Sequence, residues 1–208
     1  MKIAVIGANG KVGSLITNEL VEKNLEVTAI VRHSHETKAQ HTILKDLFQL
    51  TAEDLKPFDT IVLATGFWTP ETLPLHTSSL KHLHDLLRET GGYLLVVGGA
   101  GSLYVDESRQ QQLKDTPDFP SDYFPLATAM GDGLAYLEKQ NDFKWTYLSP
   151  AANFDAEGAK SGHYVFGEDL LVTDENGNSY ISYADYAKAM VELVLENQPQ
   201  QKRLSVRG

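Results

Sequence analysis

Gly7-Ala8-Asn9-Gly10-Lys11-Val12-Gly13 sets three glycines at G-x-x-G-x-x-G spacing near the start of the chain. The apolar run Ile3-Ala4-Val5-Ile6 precedes them, and Val12, Leu15, Ile16, Leu20 and Val21 follow near 3.6-residue spacing. Between a strand and a helix, such glycines allow a tight turn, close approach of backbone to a phosphate, and close helix-on-strand packing. The free N–H groups and positive end of the helix then face a pyrophosphate. A mononucleotide loop would need Lys followed by Ser or Thr, and Lys11 is followed by Val12. The chemistry expected here is therefore dinucleotide binding.

A second candidate lies in Ile30-Val31-Arg32-His33. A site for NAD(H) usually places an acidic residue at this point, on the ribose 2′-hydroxyl. Arg32 stands there instead, and a guanidinium grips a 2′-phosphate with a planar, charged fork. NADP(H) is expected over NAD(H), although a solvated surface arginine would read the same way. Further along, Phe67-Trp68 could stack on a flat ring, and Tyr104, Phe119, Tyr123 and Phe124 could close over it. Phe67 and Trp68 could equally pack under the long loop. Ser102 could hydrogen-bond a substrate carbonyl or simply cap its loop. It has no G-x-S-x-G elbow, so serine-hydrolase chemistry is unsupported. The histidines, His33, His35, His76, His82 and His84, lack an H-E-x-x-H pattern. Solvated histidines are expected, with no metal site.

These residues need elements to position them. Lys2–Ile6, Glu26–Val31, Thr42–Leu44, Thr60–Ala64, Tyr93–Val97 and Trp145–Leu148 read as strands. Residues 11–24, 75–90 and 126–140 read as helices. The alternation predicts one Rossmann-type α/β domain over residues 1–208, a doubly wound, mostly parallel sheet with a small C-terminal substrate-side extension. Residues 102–125 form a long loop with little regular structure, on the substrate side. Asp169–Thr173 and Ser179–Ser182 flank Asp174–Asn178 and predict a hairpin. Ser182 is expected to cap a final helix reaching about Asn197, with Leu204–Val206 a last strand.

The chain has no cysteine, which excludes a disulfide framework, a thiolate zinc site and a cysteine nucleophile. A net charge of −10 argues against a nucleic-acid groove. No apolar stretch approaches the ~20 residues of a membrane helix, and the first apolar run is too short for a signal-peptide core. A cytoplasmic protein that binds small molecules, with no nucleic-acid or membrane partner, is expected. The sequence is silent on its oligomeric state.

Taken together, Lys2–Gly13, Val31-Arg32, Leu63–Gly66, Val96–Leu103, Trp145–Phe154 and Tyr180–Ala187 resemble the atypical short-chain dehydrogenase/reductase superfamily. Within it the chain resembles the NAD(P)H-binding, NmrA-like group whose members are labelled NADH-flavin reductases. The resemblance implies that Gly7, Asn9, Gly10, Lys11, Val12 and Gly13 hold the pyrophosphate and Arg32 the 2′-phosphate. Asp46 and Leu47 would flank the adenine, and Ala64, Thr65 and Gly66 the ribose. Gly98, Gly99 and Ser102 would lie near the nicotinamide, with Pro150, Ala151, Ala152 and Asn153 on its other side. Ser102 is then the catalytic candidate, and Phe67, Trp68, Tyr104 and Tyr123 the substrate candidates.

One feature departs from the classical pattern. None of the nine tyrosines has a lysine four residues later, so the Tyr-x-x-x-Lys proton donor is missing. Hydride transfer to a flavin (FMN, FAD or riboflavin) tolerates that loss, because the ring accepts the charge itself. The expected function is an NADPH-dependent reductase of a flat acceptor. The alternatives are an NADP(H)-sensing regulatory protein and a cofactor-dependent isomerase or epimerase.

Overall fold

The computed structural model describes residues 1–208. Strands β1 (Lys2–Ile6), β2 (Glu26–Val31), β3 (His41–Leu44), β4 (Thr60–Leu63), β5 (Tyr93–Val97) and β6 (Lys144–Ser149) pair in parallel in the order 3-2-1-4-5-6. Three of the remaining strands, β7 (Asn153–Asp155), β8 (Val165–Gly167) and β9 (Tyr180–Ser182), are short. The last, β10 (Lys202–Arg207), joins β6 in parallel and carries β8 antiparallel at the edge.

The central strands are apolar on both faces because both are covered. Ile3 and Val5 of β1 face helices α1 (Lys11–Glu22) and α5 (Tyr183–Glu196), meeting Ile16, Leu20, Met190 and Val194. Ala4 and Ile6 face the opposite layer of α2 (Ala52–Leu55), α3 (Leu75–Thr90) and α4 (Phe124–Leu137), meeting Leu55, Leu80, Leu83 and Leu134. After β3 the chain crosses back, so β4 lands on the other side of β1. That reversal opens a crevice beyond the carboxyl ends of β1 and β4, where ligands of such sheets collect.

Three helix ends show why the elements stop where they do. Asn24, with φ +58°, turns the chain out of α1, and Gly91, with φ +80°, does the same for α3. Ser182 caps α5 as expected, its side chain accepting the Asp185 N–H.

The C-terminal third departs from expectation. Asp174–Asn178 does form a turn, with the Gly177 N–H on the Asp174 carbonyl and the Asp174 carboxylate accepting from Asn176 and Asn178. Its flanks do not pair as a hairpin. The backbone around Asp169–Leu171 bonds to Tyr104 instead, and Leu170 makes only an isolated bridge to it. β9 pairs in parallel with β7, which the sequence reading left out along with β8. Local turn chemistry closed the turn, and tertiary partners took the strand hydrogen bonds. Residues 102–125 are irregular apart from single 3₁₀ turns at Leu113–Asp115 and Ser121–Tyr123. The helix after them starts at Phe124, two residues early, because Pro125 sits in its first turn where no N–H is needed. No helix is long and apolar enough to cross a membrane.

Candidate cofactor and acceptor site

The three loop glycines answer to different constraints. Gly7 has φ +82°, and a Cβ there would lie 2.8 Å from the Ala64 carbonyl oxygen. At Gly13 a Cβ would lie 2.2 Å from the Gly7 carbonyl oxygen, so only glycine lets α1 sit this close to β1. Gly10 is different. Its backbone is ordinary (φ −74°, ψ 164°), and an added Cβ would meet only Gly7 O at 3.3 Å and Ala64 O at 3.8 Å. Packing demands a glycine less at Gly10 than at its neighbours, and the cradle it leaves bare is where a phosphate would sit. The N-terminus of α1 fits the same group. Gly10 caps it with no side chain, its first turn holds no acidic residue, and the N–H groups of Lys11, Val12 and Gly13 find no acceptor in the chain. Four unsatisfied N–H groups and the helix dipole make such an end an anion site. Asn9 is exposed beside it.

Arg32 lies just beyond β2, exposed and without an ion pair. The nearby cation Lys45 is held by both carboxylate oxygens of Asp54 at 2.7 Å. Asp46 caps the turn at Leu47–Gln49 through the Phe48 N–H, and the Leu47 side chain is buried in the core. This pair therefore presents mainly backbone to any ligand.

The ends of β4 to β6 complete the crevice. The Trp68 side chain is 67% exposed and folds back so that a Cβ on Gly66 would lie 2.6 Å from its Nε1. Phe67 packs edge-on to His76, at 5.2 Å between ring centres. Gly98 and Gly99 have packing reasons of their own. A Cβ on Gly98 would overlap the Tyr147 ring at 2.2 Å, and one on Gly99 would lie 2.8 Å from Met130 Sδ. The Tyr147 hydroxyl accepts the Gly99 N–H at 3.0 Å. Pro150 and Ala151 are buried, while Ala152 and Asn153 are exposed at the rim. The Asn153 side chain has no partner, and its N–H bonds to Ser179 O. A small cleft of about 20 Å³, room for roughly one water, runs behind Thr65 between His76 and Met130.

Two substrate candidates are split apart. Tyr123 is exposed at the entry to α4, whereas Tyr104 packs over the Arg203 guanidinium, 5.9 Å from ring centre to charge. Ser102 is buried, with its hydroxyl accepting from Arg203. The sequence reading missed Tyr183 and Phe154, whose rings meet at a tilt, 4.1 Å between centres, at the start of α5. Burial pushes the Tyr183 phenol up, while the Lys11 ammonium pulls it down and Tyr123 adds to the rise. Lys11, at the end of the glycine loop, pairs with Glu157 at 3.4 Å, so the segment after β7 meets that loop.

Solvated helix histidines were expected, and the structure corrects this. His84 is buried between the Tyr136 hydroxyl at 2.6 Å and Asp142 at 2.7 Å, stacked on Phe143. His82 Nε2 bonds the Leu50 carbonyl. His76 Nε2 bonds the Phe67 carbonyl, and burial holds its pKa below the usual imidazole value. Leu80, Leu83, His84 and Leu87 fall at i, i+3, i+4 and i+7, so the stripe that buries α3 carries His84 with it. No group of three or more His, Asp or Glu side chains converges as a metal site.

Comparison with known proteins agrees with this geometry. The model of an NAD(P)H-binding family matches residues 7–197. The chain belongs to that family. YwnB of Bacillus subtilis, an uncharacterised protein, is 44% identical over 99% of this chain and 98% of its own length. A solved structure from Streptococcus pneumoniae, described as "a putative NADH-flavin reductase", is 46% identical with a TM-score of 0.96. The match covers 100% of this chain and 99% of that one. A Burkholderia pseudomallei structure, described as a "putative exported protein", is 33% identical with a TM-score of 0.88 and full coverage of both chains. The family gives the crevice its ligand class, a nicotinamide dinucleotide.

Proposed function

We propose that this chain is an oxidoreductase that uses NADPH to reduce a flat acceptor, a free flavin. The observation that carries the reading is the uncommitted anion-binding set along the crevice. The N–H groups of Lys11, Val12 and Gly13 have no acceptor, and Arg32 has no ion-pair partner. The first set would hold the pyrophosphate over Gly10. Arg32 would hold the 2′-phosphate, which is why NADPH is proposed although the pneumococcal relative's description specifies NADH. NADPH supplies the hydride when bound. The exposed rings of Trp68, Tyr123 and Phe124 offer aromatic surface that would orient a flat ring.

No tyrosine here is followed by the lysine that would make it a strong general acid. A flavin fits that absence, since its N5 takes the hydride and its N1 stays anionic or takes a proton from water. The missing pair also fits an NADP(H) sensor. Oxidation of NADPH, followed with FMN, FAD, riboflavin and quinones as acceptors, separates the two. Reduction of a flavin is expected. Tight NADPH binding with every acceptor inert would replace the enzyme with a sensor.

A further inference from the structure

Glu157 stands on a piece of chain that is fastened on both sides of it. Upstream, the Asp155 carboxylate accepts from the Glu157 N–H at 2.9 Å and from the Tyr180 hydroxyl at 3.0 Å. Gly158 follows in a space so tight that a Cβ would lie 2.2 Å from that hydroxyl and 2.9 Å from Ser182 Cβ. Downstream, Lys160 pairs with Glu19 of α1. The N–H groups of Ser161 and Gly162 bond the buried Asp185 of α5 at 3.0 and 2.7 Å, and the Tyr164 hydroxyl donates to Glu192 of the same helix. The backbone at Glu157 is thus set by its neighbours. Its own side chain is 87% exposed and meets one partner, the Lys11 ammonium at 3.4 Å.

An exposed ion pair of this kind adds little to stability. Its position gives it another consequence. Lys11 opens α1, and its backbone N–H is one of the three without an acceptor. Helix side chains lean toward the N-terminus, which carries the Lys11 ammonium toward that end. A lysine side chain spans about 6 Å, so the Glu157 carboxylate lies within roughly 10 Å of that N–H, about one Debye length at 0.1 M salt. The first turn of α1 has no acidic residue of its own, and negative charge there is favourable. Glu157 supplies it from a distant segment, beside the place where a pyrophosphate would bring its own. Both anions are drawn to the same cation, and at this range they repel each other.

We infer that Glu157 competes with the cofactor for Lys11. It holds the ammonium before a dinucleotide arrives, yields it to the incoming pyrophosphate, and keeps affinity low enough for the used cofactor to leave quickly. No covalent bond is made or broken; Lys11 exchanges one anionic partner for another. The inference rests on the part of the functional reading that sets the pyrophosphate at the end of α1, and it is independent of which acceptor is reduced.

The test uses the full chain with Glu157→Gln, Lys11→Met and the double variant Lys11→Met/Glu157→Gln. The readouts are the NADPH Kd by nucleotide fluorescence at low and high salt, the rate of NADPH release into excess NADP⁺ by stopped flow, and Tm. Glu157→Gln keeps the shape of the side chain and removes its charge. It should tighten NADPH by roughly 3- to 10-fold at low salt, the scale of one exposed ion pair and one like-charge contact, and slow release by a similar factor. The gain should fade at about 0.5 M NaCl, where the Debye length is roughly 4 Å. Tm should stay with the parent's, since the pair is exposed. Lys11→Met should weaken binding, and adding Glu157→Gln to it should recover less than the same change gains in the parent. The proposal is overturned if Glu157→Gln binds NADPH no tighter than the parent, if the gain persists undiminished at high salt, or if it is equally large in the Lys11→Met background. A parent that binds no NADPH removes the cofactor reading and this proposal together, a result distinct from a parent and a Glu157→Gln that bind it equally.

Discussion

Replacing Gly10 and Gly13 should separate cofactor binding from folding. A Cβ at Gly10 meets the Gly7 carbonyl at 3.3 Å, and its φ of −74° suits any residue. Gly10→Val should therefore leave Tm within a few degrees of the parent, since ~1 kcal/mol moves a domain of this size by about 2–4 °C. The valine side chain would stand in the phosphate cradle, in front of the N–H groups of Lys11, Val12 and Gly13. Hydrogen bonds to a charged group are worth about 1.5–3 kcal/mol each, so losing two costs roughly 3–6 kcal/mol, or ~10²–10⁴ in Kd. At Gly13 the same atom would lie 2.2 Å from the Gly7 carbonyl oxygen, where backbone must move. Overpacking of that kind costs about 1–3 kcal/mol or more, so even Gly13→Ala should lower Tm visibly. The assay is thermal unfolding beside NADPH titration by nucleotide fluorescence. A folded Gly10→Val that binds NADPH like the parent would refute the placement of the pyrophosphate.

Arg32→Ala should lower the NADPH-over-NADH preference by roughly 10-fold, the worth of one charged fork on an exposed phosphate, as read from the two Kd values. Asp185 should make the fold acid-sensitive. Burial pushes its carboxyl up, but the Ser161 and Gly162 N–H groups and the Ser161 and Ser182 hydroxyls outweigh that and hold it below the usual value. A depressed folded pKa gives stability present above the unfolded value of about 4 and lost as pH falls through the folded one. Asp185→Asn should therefore lower Tm at neutral pH, and the gap should narrow in acid; a gap independent of pH would contradict this. Tyr123→Phe, Tyr136→Phe and Tyr183→Phe should each cost far less in kcat than the ~10²–10⁴ of a dedicated general acid. A loss of that size in one of them would instead point to a carbonyl or enone acceptor.

The parts legible in the sequence are those set by local rules. Ile3–Ile6 followed by three spaced glycines and an amphipathic run specifies strand, loop and helix together. The parallel direction of the first six strands follows from the alternation of elements, though not their order. What stayed hidden depends on contacts between distant segments. β7 and β8 are three residues long and carry no period to detect. The bonds from Tyr104 to the Asp169–Leu171 backbone replace a hairpin that the turn residues alone would favour. Tyr183 meets Phe154 only because β7 pairs with β9 just before α5. Arg203 looked like an ordinary residue of a terminal strand until Ser102 and Asp169 were placed around it. His84 was readable, since its place four residues after Leu80 and three before Leu87 puts it on the buried stripe.

Anaerobic mixing of the protein with NADPH and oxidised FMN tests the central claim most directly, with flavin bleaching and nucleotide oxidation followed together. The account predicts bleaching of one FMN per NADPH consumed, faster with NADPH than with NADH at equal concentration. NADPH that binds and leaves the flavin oxidised, or NADH that serves better than NADPH, would contradict it.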